Sequence, residues 1–258
     1  MITNPPRPVA IDGDAVVKEA LRRIELPTRR KFLQRSLTLG GLSLLTGCAI
    51  VDEDSVENAL MKVSRFNDKV QGWLFAPRQL APSYPESMIT RPFPFNAYYR
   101  EDEIRQVDAD SYRLEVTGMV ADKHAWTLAE LQALPQTDQV TRHICVEGWS
   151  AIGKWGGVRF SDFLARVGAD TSAKYVGFQC SDDYYTSIDM PTALHPQTLL
   201  TLTYDGAQLP PKYGFQMKLR MPTKLGYKNP KHIQAIFVTN TYPGGYWEDQ
   251  GYNWFGGS

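Results

Sequence analysis

The chain has 258 residues, enough for one domain of ordinary size with a substantial core. Its 28 basic and 28 acidic side chains cancel, so no global field draws in nucleic acid and any anion site must be a local cluster. No apolar run approaches the ~18 residues of a membrane-spanning helix, and the mature protein is expected to be soluble.

Residues 1–28 are polar and contain prolines and charges, which reads as a flexible leader. Thr28-Arg29-Arg30-Lys31-Phe32-Leu33-Gln34 then precedes the weakly apolar run Leu37 to Thr46. A basic stretch before a short apolar one is the layout of a signal peptide, and the paired arginines resemble the twin-arginine export signal. Leu45-Thr46-Gly47-Cys48 also resembles a lipoprotein lipobox; acylation of Cys48 and simple cleavage nearby both stay open. Twin-arginine export carries folded proteins, so a periplasmic location is expected and the signal hints at a cofactor inserted beforehand. The expected organisation is a leader with signal over 1–48, an irregular wrapping segment over 49–105, and 106–258 as the remainder of a single domain starting near residue 55.

From Ser55 to about Arg105 the chain is rich in Pro, Arg and aromatic residues and reads as irregular. Tyr112, Leu114 and Val116 alternate with polar residues, predicting a strand over Ser111 to Val120. Thr127 and Glu130 have capping-box spacing ahead of Leu128, Leu131 and Leu134, and Pro135 closes that helix. Val140 to Cys145 and Tyr175 to Cys180 are predicted strands, separated by a helix that Ser161 would cap. Phe215, Met217, Leu219 and Met221 alternate with Lys218 and Arg220, which fall on the opposite face, and Ile233 to Asn240 is the last predicted strand. Short strands interrupted by short helices, without regular β-α alternation, predict an α+β domain.

Arg142-His143-Ile144-Cys145-Val146-Glu147-Gly148-Trp149-Ser150 leaves a predicted strand for a Gly- and Trp-rich loop reaching Gly157. Residues two apart share a face in extended chain, so His143, Cys145 and Glu147 are expected to point into one cleft. Arg142 and His143 beside the thiol would favour its thiolate, a soft ligand or nucleophile. On spacing alone, a lone Cys at a strand end is more often a small core residue, and Cys145 with Cys180 would also make a disulfide in an oxidising compartment.

The run Arg142 to Ser150 with Trp155-Gly156-Gly157 resembles the cofactor-binding segment of the sulfite oxidase superfamily. Within it the nearest likeness is to bacterial periplasmic molybdopterin enzymes of the methionine sulfoxide reductase catalytic-subunit type. The resemblance continues at Asn96-Ala97-Tyr98-Tyr99, at His195-Pro196-Gln197-Thr198-Leu199, and from Leu219-Arg220-Met221-Pro222 through Lys224, Gly226, Lys228 and Lys231 to Ile233. It implies a sulfite-oxidase-type molybdopterin-binding fold and a molybdenum–molybdopterin cofactor. Cys145 would ligate the metal beside the two dithiolene sulfurs, with Asn96 close by. His195, Arg220, Lys224, Lys228 and Lys231 would hold the pterin and its phosphate, and Arg142, His143 and Gly226 join the implied cofactor-binding set. The chemistry suits them, since a compact phosphate is best held by Arg forks, Lys charges and the backbone of a Gly-containing turn. A solvated basic loop is the other account of Lys224 to Lys231.

The resemblance implies two-electron oxygen-atom transfer with Cys145, Glu147 and Asn96 at the reacting centre. A carboxylate at Glu147 would repel an anionic substrate ~6 Å away by roughly 3 kcal/mol at an effective dielectric of ~20. Reduction of S-oxides or N-oxides is therefore the expected direction and sulfite oxidation the alternative. No Cys-x-x-Cys-His haem attachment occurs, so a membrane haem protein or soluble cytochrome is the implied redox partner. The chain stops soon after the last strand, and a monomer is expected. The rivals from other classes are an exported binding module stapled by Cys145–Cys180 and a protein that stores the cofactor.

Overall fold

The computed structural model describes residues 53–104 and 108–258; the leader, the twin-arginine stretch and Cys48 lie outside them. The chain divides into Met1–Asn58 and Ala59–Ser258, and the fold is that of the second unit, which α1 (Glu53–Leu74) enters. That 22-residue helix corrects the expectation of an irregular chain from Ser55 onward; the irregular stretch begins after Leu74.

Two five-stranded sheets carry the domain. The first has the order β2 (Trp126–Thr127), β1 (Arg113–Gly118), β10 (Ile233–Thr239), β5 (Tyr175–Cys180) and β6 (Tyr185–Asp189). Its pairings are antiparallel except that β1 runs parallel to β10, with Glu115 opposite Ala235. The second runs β3 (Gln136–Ile144), β4 (Ser150–Arg159), β7 (Leu199–Tyr204) and β8 (Ala207–Gln208), and β9 (Lys218–Arg220) also pairs with β7. Short helices fill the connections: α2 (Leu128–Ala133), α3 (Phe160–Arg166) and α4 (Met190–Ala193). Strands and short helices that do not alternate regularly make the α+β domain the sequence predicted.

Local chemistry explains the elements. The Thr127 hydroxyl accepts from the Glu130 amide at 3.2 Å and the Glu130 carboxylate accepts from the Thr127 amide at 2.8 Å, so the capping box forms as read. Ser161 is not a cap; Arg159 holds that position, and Ser161 lies inside α3. The Gly- and Trp-rich run is also not a loop as far as Gly157, because the chain turns at 145–149 and returns as β4. A Cβ at Gly157 would stand 2.0 Å from the Leu200 carbonyl oxygen, so the glycine is what lets β7 approach.

The main core joins both sheets through Leu114, Val116, Val158, Phe160, Phe163, Phe178, Leu200, Leu219 and Ile236, all at most 1% exposed. A smaller cluster of Phe93, Ala151, Trp155, Leu209 and Tyr213 lies under β4. β9 is buried on both faces: Met217, Leu219 and Met221 face the core as expected, yet Lys218 and Arg220 are buried too. Cys145 and Cys180 are buried free thiols, which removes the disulfide reading.

Candidate active site

β3 delivers His143 to the interior and ends just before Cys145, whose amide donates to the Trp149 carbonyl to close the turn. The turn brings Glu147 back, with its Oε2 3.5 Å from Cys145 Sγ, and the Trp149 indole N–H holds that carboxylate at 2.8 Å. From the irregular stretch after α1, Asn96 reaches both residues, its Nδ2 lying 3.3 Å from Cys145 Sγ and 3.4 Å from His143 Nε2. A Cβ on Gly226 would fall 2.8 Å from His143 Nε2 and 3.0 Å from Asn96 Nδ2, so glycine is required where that turn closes on the site. The structure thus brings Asn96, His143, Cys145, Glu147 and Gly226 together, with Cys145 and Glu147 lining a cleft that His143, buried behind them, does not reach.

Cys145 opens onto a cleft walled by Tyr98, Tyr99, Tyr184, Trp247 and Tyr252, with Glu147, Asp182 and Lys231 as its charged residues. Tyr99 donates to Asp182 at 3.0 Å. Burial, together with the Asp182 charge, raises its hydroxyl pKa, so the phenol stays protonated.

Beside this cleft lies a buried basic cluster of Lys218, Arg220 and Lys231. Lys218 sets its ammonium 5.1 Å over the Trp155 ring, and Lys231 sets its own 4.7 Å over Phe95. Arg220 reaches across to β3, donating to the Arg142 carbonyl at 2.6 Å and to Asn229 Oδ1 at 3.2 Å. Among the described residues no ion pair to Lys218, Arg220 or Lys231 is found. Burial and the mutual repulsion of these cations depress Lys218 well below the ordinary lysine value, and burial brings Arg220 to about 9 and Lys231 to about 8. Burial first, then the same cations, hold His143 neutral. Cys145 itself is raised, by burial first and then by the Glu147 charge, against the expectation of a favoured thiolate. Arg142 is no help to it, because the guanidinium points to the other face of the strand, over Tyr84 at 5.3 Å.

The remaining expected ligands are placed elsewhere. Lys224 donates to the Phe255 carbonyl at 2.8 Å, and Lys228 is ion-paired with buried Glu248 and donates to the Ser187 carbonyl at 2.7 Å. His195 uses both ring nitrogens on backbone, Nε2 to the Gln79 carbonyl at 3.0 Å and Nδ1 from the Gln197 amide at 3.2 Å. These three brace the C-terminal segment and the stretch after α1. Lys218 is the residue sequence reasoning missed, and its signal was a basic residue alternating with methionines and leucine in a short strand.

Among the described residues, the buried polar atoms without a hydrogen-bond partner include His143 Nδ1, Trp155 Nε1, Arg220 Nε and His232 Nε2. Buried polar groups are normally satisfied and buried charges paired. An anion-bearing, hydrogen-bonding group seated beside Cys145 would answer both deficits, and the phosphate and pterin of molybdopterin fit that description. Cys145 supplies the soft ligand the metal prefers.

The family described as oxidoreductase molybdopterin binding domain matches residues 101–247. The chain is 74% identical, over 100% of both lengths, to a protein of Azospira oryzae named putative protein-methionine-sulfoxide reductase subunit YedZ1. It is 33% identical to the protein-methionine-sulfoxide reductase catalytic subunit MsrP of Xanthomonas axonopodis pv. citri, over 46% of this chain and 42% of that one. With MsrP of Burkholderia mallei the identity is 30%, over 56% and 49%. Among solved structures, the sulfane dehydrogenase SoxCD from Paracoccus pantotrophus aligns with a TM-score of 0.50 at 18% identity, over 54% of this chain and 40% of that one, a likeness of fold. Since the matched stretch covers more than half of the chain and contains both Cys145 and the buried basic strand, the protein belongs to the molybdopterin-binding oxidoreductases of the sulfite oxidase superfamily and takes molybdenum–molybdopterin as its cofactor.

Proposed function

We propose that the protein reduces sulfoxides, methionine sulfoxide being the candidate suggested by its relatives' names, with Cys145 as the metal's protein ligand and electrons drawn from a separate haem protein. The observation that carries the direction is the charge of the cleft: two acidic residues, Glu147 and Asp182, line it with Cys145 against the single ammonium of Lys231. Such a lining suits a neutral S-oxide better than sulfite.

The bound cofactor supplies two-electron oxygen-atom chemistry. This chain's residues do the rest. Lys218, Arg220 and Lys231 would offset the cofactor's negative charge, and His143, held neutral, would hydrogen bond with it. Asn96 directs its amide at the Cys145 sulfur and tunes its donor strength. The tyrosines and Trp247 give an apolar, rigid wall for the substituents on sulfur and exclude water. Reduction of a sulfoxide to a thioether and water consumes two electrons and two protons, and Glu147, fixed by Trp149, is placed to pass protons to the departing oxygen.

A periplasmic location, reached by the twin-arginine route, completes the proposal; it rests on Arg29-Arg30 and the run behind them. The test is a screen of methionine sulfoxide, dimethyl sulfoxide, an N-oxide and sulfite against molybdenum-loaded protein with reduced viologen or ferricyanide. Turnover with S-oxides, lost in Cys145→Ser, is expected. Sulfite oxidation alone, or full turnover in Cys145→Ser, would overturn it.

A further inference from the structure

The helix α1 is inside out. Its contacts to the domain are polar: Asp68 is buried and accepts from Asn253 Nδ2 at 2.8 Å and from the Phe255 amide at 3.1 Å, and Arg65 lies 3.5 Å over the ring of Tyr242. Ser64 and Gln71 are half-buried on the same side. Val63, Phe66, Val70, Trp73 and Leu74 all point to solvent, Phe66 at 64%, Leu74 at 67% and Trp73 at 82% exposure. At 3.6 residues per turn these five fall within about 100° of arc, the width of the stripe that a helix ordinarily buries. Lys62 and Lys69 are exposed along one edge of the stripe.

A helix with aromatic and aliphatic residues on one side, lysines at the rim and a polar remainder has the build of an interfacial helix lying on a lipid surface. Trp73 and Phe66 suit the boundary between headgroups and acyl chains, and the lysines suit anionic headgroups, at about 1 kcal/mol each near the surface. Sequence adjacency adds a second argument. Cys48 and the apolar run Leu37 to Thr46 directly precede the helix. Five residues from Cys48 to Glu53 span at most about 18 Å, so attachment at either point keeps α1 within reach of the bilayer.

We propose that the outward face of α1, formed by Val63, Phe66, Val70, Trp73 and Leu74, inserts into the interfacial layer of an anionic lipid bilayer, with Lys62 and Lys69 against the lipid phosphates. This surface is independent of the redox reading. It would hold an otherwise water-facing domain flat on a membrane.

The experiment is flotation of the full chain with vesicles of phosphatidylcholine alone or with three parts in ten of phosphatidylglycerol. Leu42→Asn, Leu44→Asn and Leu45→Asn form the background, so that the upstream apolar run does not mask the helix. In that background the bound fraction should fall at least tenfold on Phe66→Ser with Trp73→Ser, and fall again on Lys62→Glu with Lys69→Glu only where phosphatidylglycerol is present. Thermal melting of each variant checks that the domain still folds, since none of the four side chains is buried. Flotation unchanged by Phe66→Ser with Trp73→Ser overturns the proposal. So does light scattering that shows a lipid-free dimer dissolved by the same pair, which would assign the face to a second copy.

Discussion

Asn96 and Cys145 lie 49 positions apart in sequence and meet through an amide-to-sulfur contact of 3.3 Å. A hydrogen bond to a ligating sulfur withdraws charge from it, so its loss should lower the metal's potential and slow turnover. Asn96→Ala is expected to keep its molybdenum and to lose about ten- to a hundredfold in kcat/KM, the range usual for a residue that acts on a ligand. Redox titration followed by electron paramagnetic resonance, beside viologen-linked kinetics, checks both. An unchanged potential would show that the contact does not act on the sulfur.

Lys218 is buried, and among the described residues no ion pair to it is found. Removing such a charge relieves the cofactor-free protein while weakening its hold on an anion, so stability and cofactor content should move in opposite directions. Lys218→Met is expected to raise the urea midpoint of cofactor-free protein, by about 1–4 kcal/mol in stability, and to lower the molybdenum recovered per chain. If both fall together, Lys218 is structural.

The opposite behaviour is expected of Lys228, which pairs with Glu248 at 1% side-chain exposure on each partner. Either Lys228→Met or Glu248→Leu alone strands a buried charge and should cost about 3–5 kcal/mol, whereas the double substitution should recover most of that loss. A denaturation double-mutant cycle measures the coupling. Molybdenum content in the double variant should match the parent protein, because the pair braces the C-terminal segment.

Stability of the cofactor-free protein should also depend on pH. Burial brings Lys224 to about 7 and Lys231 to about 8, against the ordinary value of 10.5 in the unfolded chain. Above pH 7 the unfolded chain therefore binds more protons than the folded one, and stability must rise with pH. The rise is opposed once thiols titrate at about 8.5 in the unfolded chain, because burial keeps Cys180 protonated in the fold. Urea midpoints should increase from pH 6.5 to 8.5, and Lys224→Met should flatten that increase.

Features governed by neighbours in sequence were legible before the structure. The capping box of Thr127 and Glu130, the strand Tyr175–Cys180 and the alternation around Leu219 all formed as read. Long-range burial defeated the rest. Alternation puts Lys218 and Arg220 on the face opposite Leu219 but does not say that this face is buried, and the fold covers β9 on both sides. Lys224 and Lys228 share their basic segment with Lys231, but the turn at Gly226–Lys228 sends them toward Phe255 and Glu248. The helical period of Val63, Phe66, Val70 and Trp73 in α1 sits in a stretch whose Pro- and Arg-rich composition reads as irregular. Its apolar side, contrary to habit, faces away from the core.

The parallel pairing of β1 with β10 fixes when this protein becomes itself. The middle strand of the first sheet is also its last in sequence, and Glu115 must wait for Ala235, so most of the chain has left the ribosome before that sheet can close. High contact order of this kind slows folding and lengthens the time during which hydrophobic edges stand open. The basic turn from Gly226 to Lys231 lies immediately ahead of β10. Closing the sheet and shaping the anion pocket are therefore one late event, and a molecule truncated before residue 233 should lack both.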